Sequence, residues 1–199
     1  TGTGGGGVST GIGIPSSPKT YESKFTDITG HWAENDINEM AKKEIVKGVT
    51  ETSFEPDRSI TRAEFAALAV RGLKITATDS ESLFEDVTPD AWYGESVIAA
   101  ASAGLIQGYE GKFRPEDTIT REEIAVVMMK AYQFLGKTAA AGDLTGFTDS
   151  DQISDWAKPF AAQAVGAGLI SGMTDNTFAP RENATRAQAT SILKRLLDQ

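Results

Sequence analysis

Three segments of this chain repeat one pattern, and any fold must place them equivalently. Phe25-Thr26-Asp27, Phe84-Glu85-Asp86 and Phe147-Thr148-Asp149 open them, and Trp32, Trp92 and Trp156 follow seven to nine residues later. Each Trp precedes a glycine by sixteen residues, giving Gly48, Gly108 and Gly172. Phe54-Glu55-Pro56, Phe113-Arg114-Pro115 and Phe178-Ala179-Pro180 come next, and five residues after each proline stands a threonine. The invariant Trp-to-Gly and Pro-to-Thr spacings inside the units, with variable lengths between them, mark three copies of one structural unit, over 25–74, 84–136 and 147–199.

Each unit reads as helix, loop, helix. Ile37, Met40, Ala41 and Ile45 recur at helical spacing and predict a first helix over about 32–44. The proline of the Phe-x-Pro element stops helix continuation, so the intervening stretch is a loop. The second helix opens at Thr61, Thr120 and Thr185, each followed three residues later by Glu64, Glu123 or Gln188 in a capping box. Its apolar positions are Phe65, Leu68 and Ala69, then Ile124, Val127 and Met128, then Ala189, Ile192 and Leu193. Units of about fifty residues enclose little core alone. The expected fold is therefore all-α, with three helix-loop-helix repeats packed around a pseudo-threefold axis and second helices shared at the centre. Residues 75–83 and 137–146 read as connectors. Residues 1–24 hold seven glycines in the first thirteen positions, then Pro15 and Pro18, and read as a flexible linker to a larger protein.

One residue of each capping motif is out of place. Arg62, Arg121 and Arg186 occupy the first helical position, where the helix dipole disfavours a cation by roughly 0.3–1 kcal/mol. A ligand anion at that point would resolve the conflict, because guanidinium pairs carboxylates bidentately and a helix N-terminus attracts anions. So would a protein carboxylate, either Asp57 or one from the next repeat. On the first reading, Arg→Ala leaves the fold neutral or slightly more stable. The net charge of −9, from 28 acidic and 19 basic residues, argues against broad binding to nucleic acid and makes any anion site local.

The Phe-x-Asp, Trp, glycine, Phe-x-Pro and Thr-Arg-x-Glu elements, in that order three times over, resemble the S-layer homology domain. The resemblance covers about 175 residues and implies an anchoring module of a secreted bacterial surface protein. The partner it implies is a secondary cell wall polysaccharide carrying pyruvate ketals, commonly on N-acetylmannosamine, bound by the motif arginines in grooves between repeats. Trp32, Trp92 and Trp156 either stack on sugar rings or belong to the core. Asp27, Asp86 and Asp149 either contact sugar hydroxyls or close a turn. Gly48, Gly108 and Gly172 are expected to end the first helix in left-handed backbone and to let a ligand approach closely. The six repeat phenylalanines are expected in the core.

The motifs are not identical: Glu122 adds a negative charge beside Arg121, and Gln188 replaces the capping glutamate. The sites of Arg62 and Arg121 are therefore favoured over that of Arg186. The chain has one histidine and no cysteine, which assembles no catalytic constellation and calls for no cofactor or metal. Residues 149–155 lack the ligands of a calcium loop, and no apolar run reaches the ~20 residues of a membrane span. The competing function is a structural module that mediates protein–protein assembly in a surface layer.

Overall fold

A computed structural model describes residues 23–77 and 82–199; most of the 1–24 segment read as a linker lies outside the described residues. Six helices are present among them: α1 (Glu34–Lys42), α2 (Arg62–Leu73), α3 (Gly94–Ser102), α4 (Arg121–Phe134), α5 (Lys158–Gly166) and α6 (Arg186–Leu197). No strand appears among the described residues, and the fold is all-α as the sequence predicts.

The capping boxes at Thr61, Thr120 and Thr185 are all formed reciprocally. The first helices are shorter than expected. They start two residues after Trp32, Trp92 and Trp156, in Glu34, Gly94 and Lys158. The tryptophans therefore sit in the preceding turn, off the inward helix face, and are 62, 66 and 55% exposed.

Packing is cyclic. The first helix of each repeat lies on the second helix of the repeat before it: α3 on α2, α5 on α4 and α1 on α6. The second helices meet centrally through α2–α6 and α4–α6. Three backbone hydrogen bonds close a ring just before the caps: Ile119 N–H to Ile60 O (3.1 Å), Ala184 N–H to Ile119 O (3.0 Å) and Ile60 N–H to Ala184 O (2.9 Å). One apolar core runs through all three repeats. It holds Phe25, Phe54, Phe113 and Phe178 fully buried, whereas Phe84 and Phe147 are half-buried against it. The 137–146 connector is docked, with Gly142 N–H donating to Ala162 O (2.7 Å) and Ala139 and Leu144 packed on the core.

The left-handed residue after each first helix lies four positions before the expected glycine, at Glu44, Gly104 and Gly168 (φ 58°, 73° and 69°). Gly48, Gly108 and Gly172 do not adopt positive φ; they are needed for space. A Cβ on Gly48 would stand 2.3 Å from Thr50 O, and one on Gly108 2.6 Å from Lys112 O and the Phe84 ring. The expectation for these glycines is corrected on that point.

Glu44 thus carries a side chain where the other repeats have glycine, and αL backbone costs a non-glycine residue roughly 1–2 kcal/mol. Part of that gain is offset by the extra freedom glycine gives the unfolded chain. Glu44→Gly is expected to stabilise the protein by about 0.5–1 kcal/mol. Thermal melting checks it, and a lowered Tm contradicts it.

Candidate functional site

Three grooves lie between the repeats, with cavity volumes of about 670, 470 and 350 Å³, in the range of small-ligand sites. The first contains Gly48, Arg186 and Trp92, the second Gly108, Arg62 and Trp156, and the third Gly172, Arg121 and Trp32. Each groove therefore takes its glycine, arginine and tryptophan from three different repeats.

The arginines are placed by the cyclic packing. Each reaches into the following repeat, where its Nε donates to the carbonyl of the Phe-x-Pro phenylalanine: Arg62 to Phe113, Arg121 to Phe178 and Arg186 to Phe54, all at 2.8 Å. The guanidinium also lies over that phenylalanine ring, 5.0, 5.8 and 4.6 Å from its centroid. Arg121 and Arg186 are only 4 and 8% exposed, and burial pushes both below the ordinary arginine range.

Two of the three arginines have a protein carboxylate from the next repeat. Arg62 Nη1 meets Glu123 Oε1 at 2.5 Å, and Arg186 Nη1 meets Glu64 Oε1 at 3.2 Å. Asp57 pairs with His31 Nε2 instead (3.1 Å). The capping glutamates are thus shared between their own helix and a neighbour's arginine. Burial opposes ionisation of Glu64, but Arg58, the Thr61 N–H and Arg186 outweigh it and hold the carboxyl below its usual range.

Two sequence expectations about charge are corrected. The helix N-termini are not open to an anion, because the next repeat's loop occupies them. Arg62 and Ala63 N–H donate to Asp117 and Pro115 O, Arg121 and Glu122 N–H to Glu182 and Pro180 O, and Arg186 and Ala187 N–H to Arg58 and Pro56 O, at 2.8–3.0 Å. Nor does Glu122 burden Arg121. Its carboxylate accepts from Ser154 N–H and Oγ, both at 2.9 Å.

Asp27, Asp86 and Asp149 line none of the three grooves. Each carboxylate accepts two backbone N–H groups of the Phe-x-Pro loop: Phe54 and Glu55, Phe113 and Arg114, Phe178 and Ala179, within 2.7–2.9 Å at the shorter contact. The middle residues Glu55, Arg114 and Ala179 have φ of 55–57°, a conformation these clamps hold in place. For Asp27 and Asp86 burial is again outweighed by the N–H donors, and the pKa falls. These aspartates thus clamp the loop ahead of the second helix, 27–30 residues away, rather than close a turn ahead of the first.

A second cation in each groove escaped the sequence reading. Arg71, Lys130 and Arg195 line the first, second and third grooves. Each stands nine residues after a motif arginine, a spacing that aligning the repeats would have shown. Arg71 Nε donates to Ile45 O (2.7 Å) and Arg195 Nη1 to Leu169 O (3.1 Å). Every groove thus offers an exposed indole beside two cations held on rigid helices. Such a surface suits a sugar with an attached anion.

Comparison with known proteins agrees with this architecture. The family model for the S-layer homology domain matches residues 24–66, 83–125 and 146–190. The chain is 40% identical over 180 residues to an amylopullulanase of Thermoanaerobacterium thermosulfurigenes, covering 90% of this chain and 10% of that protein. It is 39% identical over 188 residues to exoglucanase XynX of Acetivibrio thermocellus, covering 94% of this chain and 17% of the relative. With the surface-layer 125 kDa protein of Lysinibacillus sphaericus the identity is 27% over 189 residues, covering 93% and 16%. The chain thus spans between a tenth and a fifth of the length of these relatives. With three matched copies in tandem, the chain belongs to the S-layer homology domain family, whose place is the bacterial cell wall or surface layer and whose role there is anchoring.

Proposed function

We propose that this module tethers a larger surface protein by binding an anionic secondary cell wall polysaccharide, one carrying pyruvate ketals, in the grooves between its repeats. The observation that carries this reading is the convergence, in every groove, of an exposed tryptophan with two cations from different repeats. The indole offers an apolar face for a sugar ring. The guanidinium or ammonium groups take the ketal carboxylate. The three-repeat origin of each groove makes binding conditional on the assembled fold. Arg62, Arg121 and Arg186 together with Trp32, Trp92 and Trp156 are the contact residues. Gly48, Gly108 and Gly172 keep the groove floor free of side chains, and Asp27, Asp86 and Asp149 support the loops behind it. The net charge of −9 opposes an anion only weakly, because distant surface charges are screened within about 8–10 Å at physiological salt.

Calorimetry with matched pyruvylated and unmodified polysaccharide fragments tests the reading. The pyruvylated fragment is expected to bind at least tenfold more tightly. Equal affinity contradicts the carboxylate contact. Co-sedimentation with cell walls that is unchanged after their polymer is stripped favours the protein-assembly function instead.

A further inference from the structure

The three grooves share a plan but not a charge state. In the first, Glu64 stands against Arg186, and in the second Glu123 stands against Arg62; both glutamates line their grooves. Lys47 and Arg58 in the first groove and Lys112 and Arg114 in the second add further cations, but beside the motif arginine itself a ligand carboxylate meets a protein carboxylate already hydrogen-bonded to it. The corresponding position in the third groove is Gln188, which is neutral. Its Oε1 accepts the Thr185 N–H (3.2 Å), and its Nε2 finds only the thioether of Met173, at 3.9 Å. No carboxylate lines this groove.

Arg121 is therefore a buried cation whose hydrogen bonds go to two neutral carbonyls, Phe178 O (2.8 Å) and Ser171 O (3.2 Å). Among the described residues neither it nor Arg195, the second cation of the groove, has a carboxylate within ion-pair distance. Glu182 and Asp149 offset the burial of Arg121 only from beyond ion-pair distance, so an anion that enters and pairs with it directly relieves the remaining cost. A second feature also points to a ligand. Ser191 lines the same groove, is 2% exposed, and its Oγ is buried without a hydrogen-bond partner. The aligned positions in the other two grooves are Ala67 and Val126.

Resting on the anchoring function above, we infer that the third groove, between Arg121, Arg195, Ser191 and Trp32, is the principal carboxylate site, and that Gln188 is the residue that makes it so. The first and second grooves bind the anionic sugar more weakly, because Glu64 and Glu123 occupy the place its carboxylate needs. The order of sites drawn from the motifs, with Arg62 and Arg121 together ahead of Arg186, becomes Arg121 alone ahead of the other two.

Each groove contains one tryptophan, so occupancy can be read groove by groove. In the full 199-residue chain, pairs of Trp→Phe substitutions leave Trp32, Trp92 or Trp156 as the single fluorophore. The probes are the methyl glycoside of N-acetylmannosamine bearing a 4,6-pyruvate ketal and the same glycoside without it. Trp32 is expected to respond to the ketal at a concentration at least tenfold lower than Trp92 or Trp156. Gln188→Glu is expected to abolish that advantage, and Ser191→Ala to weaken the site a few-fold. Glu64→Gln and Glu123→Gln should tighten the Trp92 and Trp156 sites. Glutamate and glutamine both complete the capping box in this chain, so the helix caps survive these exchanges. Glu64→Gln and Glu123→Gln also remove the ion pairs to Arg58, Arg186 and Arg62 and are expected to lower Tm by a few degrees while the fold persists. The Glu123→Gln arm decides the matter should Gln188→Glu fold poorly. Equal half-saturation at the three tryptophans, a Trp32 response indifferent to Gln188→Glu, or equal responses to the two sugars overturns the inference. If none of the tryptophans responds and calorimetry shows no binding, the anchoring reading falls with it. Ordinary binding shared equally among the grooves sinks only the present inference.

Discussion

Residues 84–136 expressed alone are expected to give no cooperative melt, whereas the whole chain unfolds in a single transition. The fragment keeps α3, α4 and the capping box of Thr120, which are local. It loses everything that lies in the neighbouring repeats. Arg121 and Glu122 N–H lose Glu182 and Pro180 O, Ile119 N–H loses Ile60 O, and Ala184 N–H no longer meets Ile119 O. The face of α3 that packs on α2 and the faces of α4 that pack on α5 and α6 turn to water. With about fifty residues, the remaining apolar burial does not offset the conformational entropy of ordering them. Circular dichroism and calorimetry on the fragment decide the point. A sharp melt with native helix content would show that the repeats are independent domains.

Arg186→Ala is expected to destabilise the whole chain by about 3 kcal/mol. The sequence alone argues for the opposite sign, since a cation at the first helical position opposes the dipole. In the folded protein Arg186 donates to Phe54 O (2.8 Å), Lys47 O (2.9 Å) and Glu64 Oε1 (3.2 Å), and its guanidinium covers the Phe54 ring. Truncation leaves two carbonyls without that donor and withdraws one of the two arginines at Glu64. Hydrogen bonds to charged groups are worth roughly 1.5–3 kcal/mol each, and regained hydration of an arginine no longer buried offsets part of the loss. For a chain of this size 3 kcal/mol corresponds to about 6–12 °C in Tm. A Tm within about 2 °C of the parent would show that these contacts contribute little. The same reasoning makes alanine a poor probe of binding at this position, because lost affinity would be confounded with a loosened interface. Charge exchange at Gln188, Glu64 and Glu123 leaves the arginines in place.

Much of the fold was legible because its signals are local or repeated. Thr61, Thr120 and Thr185 cap the helices they were expected to cap, since a capping box involves only four consecutive residues. The apolar positions of the second helices are buried as their spacing predicts. The three copies required cyclic equivalence before any contact was known, and the grooves follow from it. Gly48 looked like a helix-ending glycine, yet its constraint is space: a Cβ there would meet Thr50 O at 2.3 Å and the Phe25 ring, more than twenty residues away in sequence, at 2.5 Å. Trp32 sits one turn too early to face the core. Arg71, Lys130 and Arg195 were overlooked because a lone cation on an amphipathic helix looks like ordinary surface.

The sequence by itself determined the repeat, the helices, their caps and the family. Those follow from the backbone's short-range hydrogen bonding and from apolar periodicity, both set within a few residues. Only the tertiary structure decided which repeat each arginine serves. Arg62, Arg121 and Arg186 satisfy carbonyls 51, 57 and 132 residues away, and the identity of such partners depends on how the chain closes on itself. The same closure turned a one-atom difference between Glu and Gln at the capping position into a difference of charge between grooves, because that side chain faces both its own helix and its neighbour's arginine.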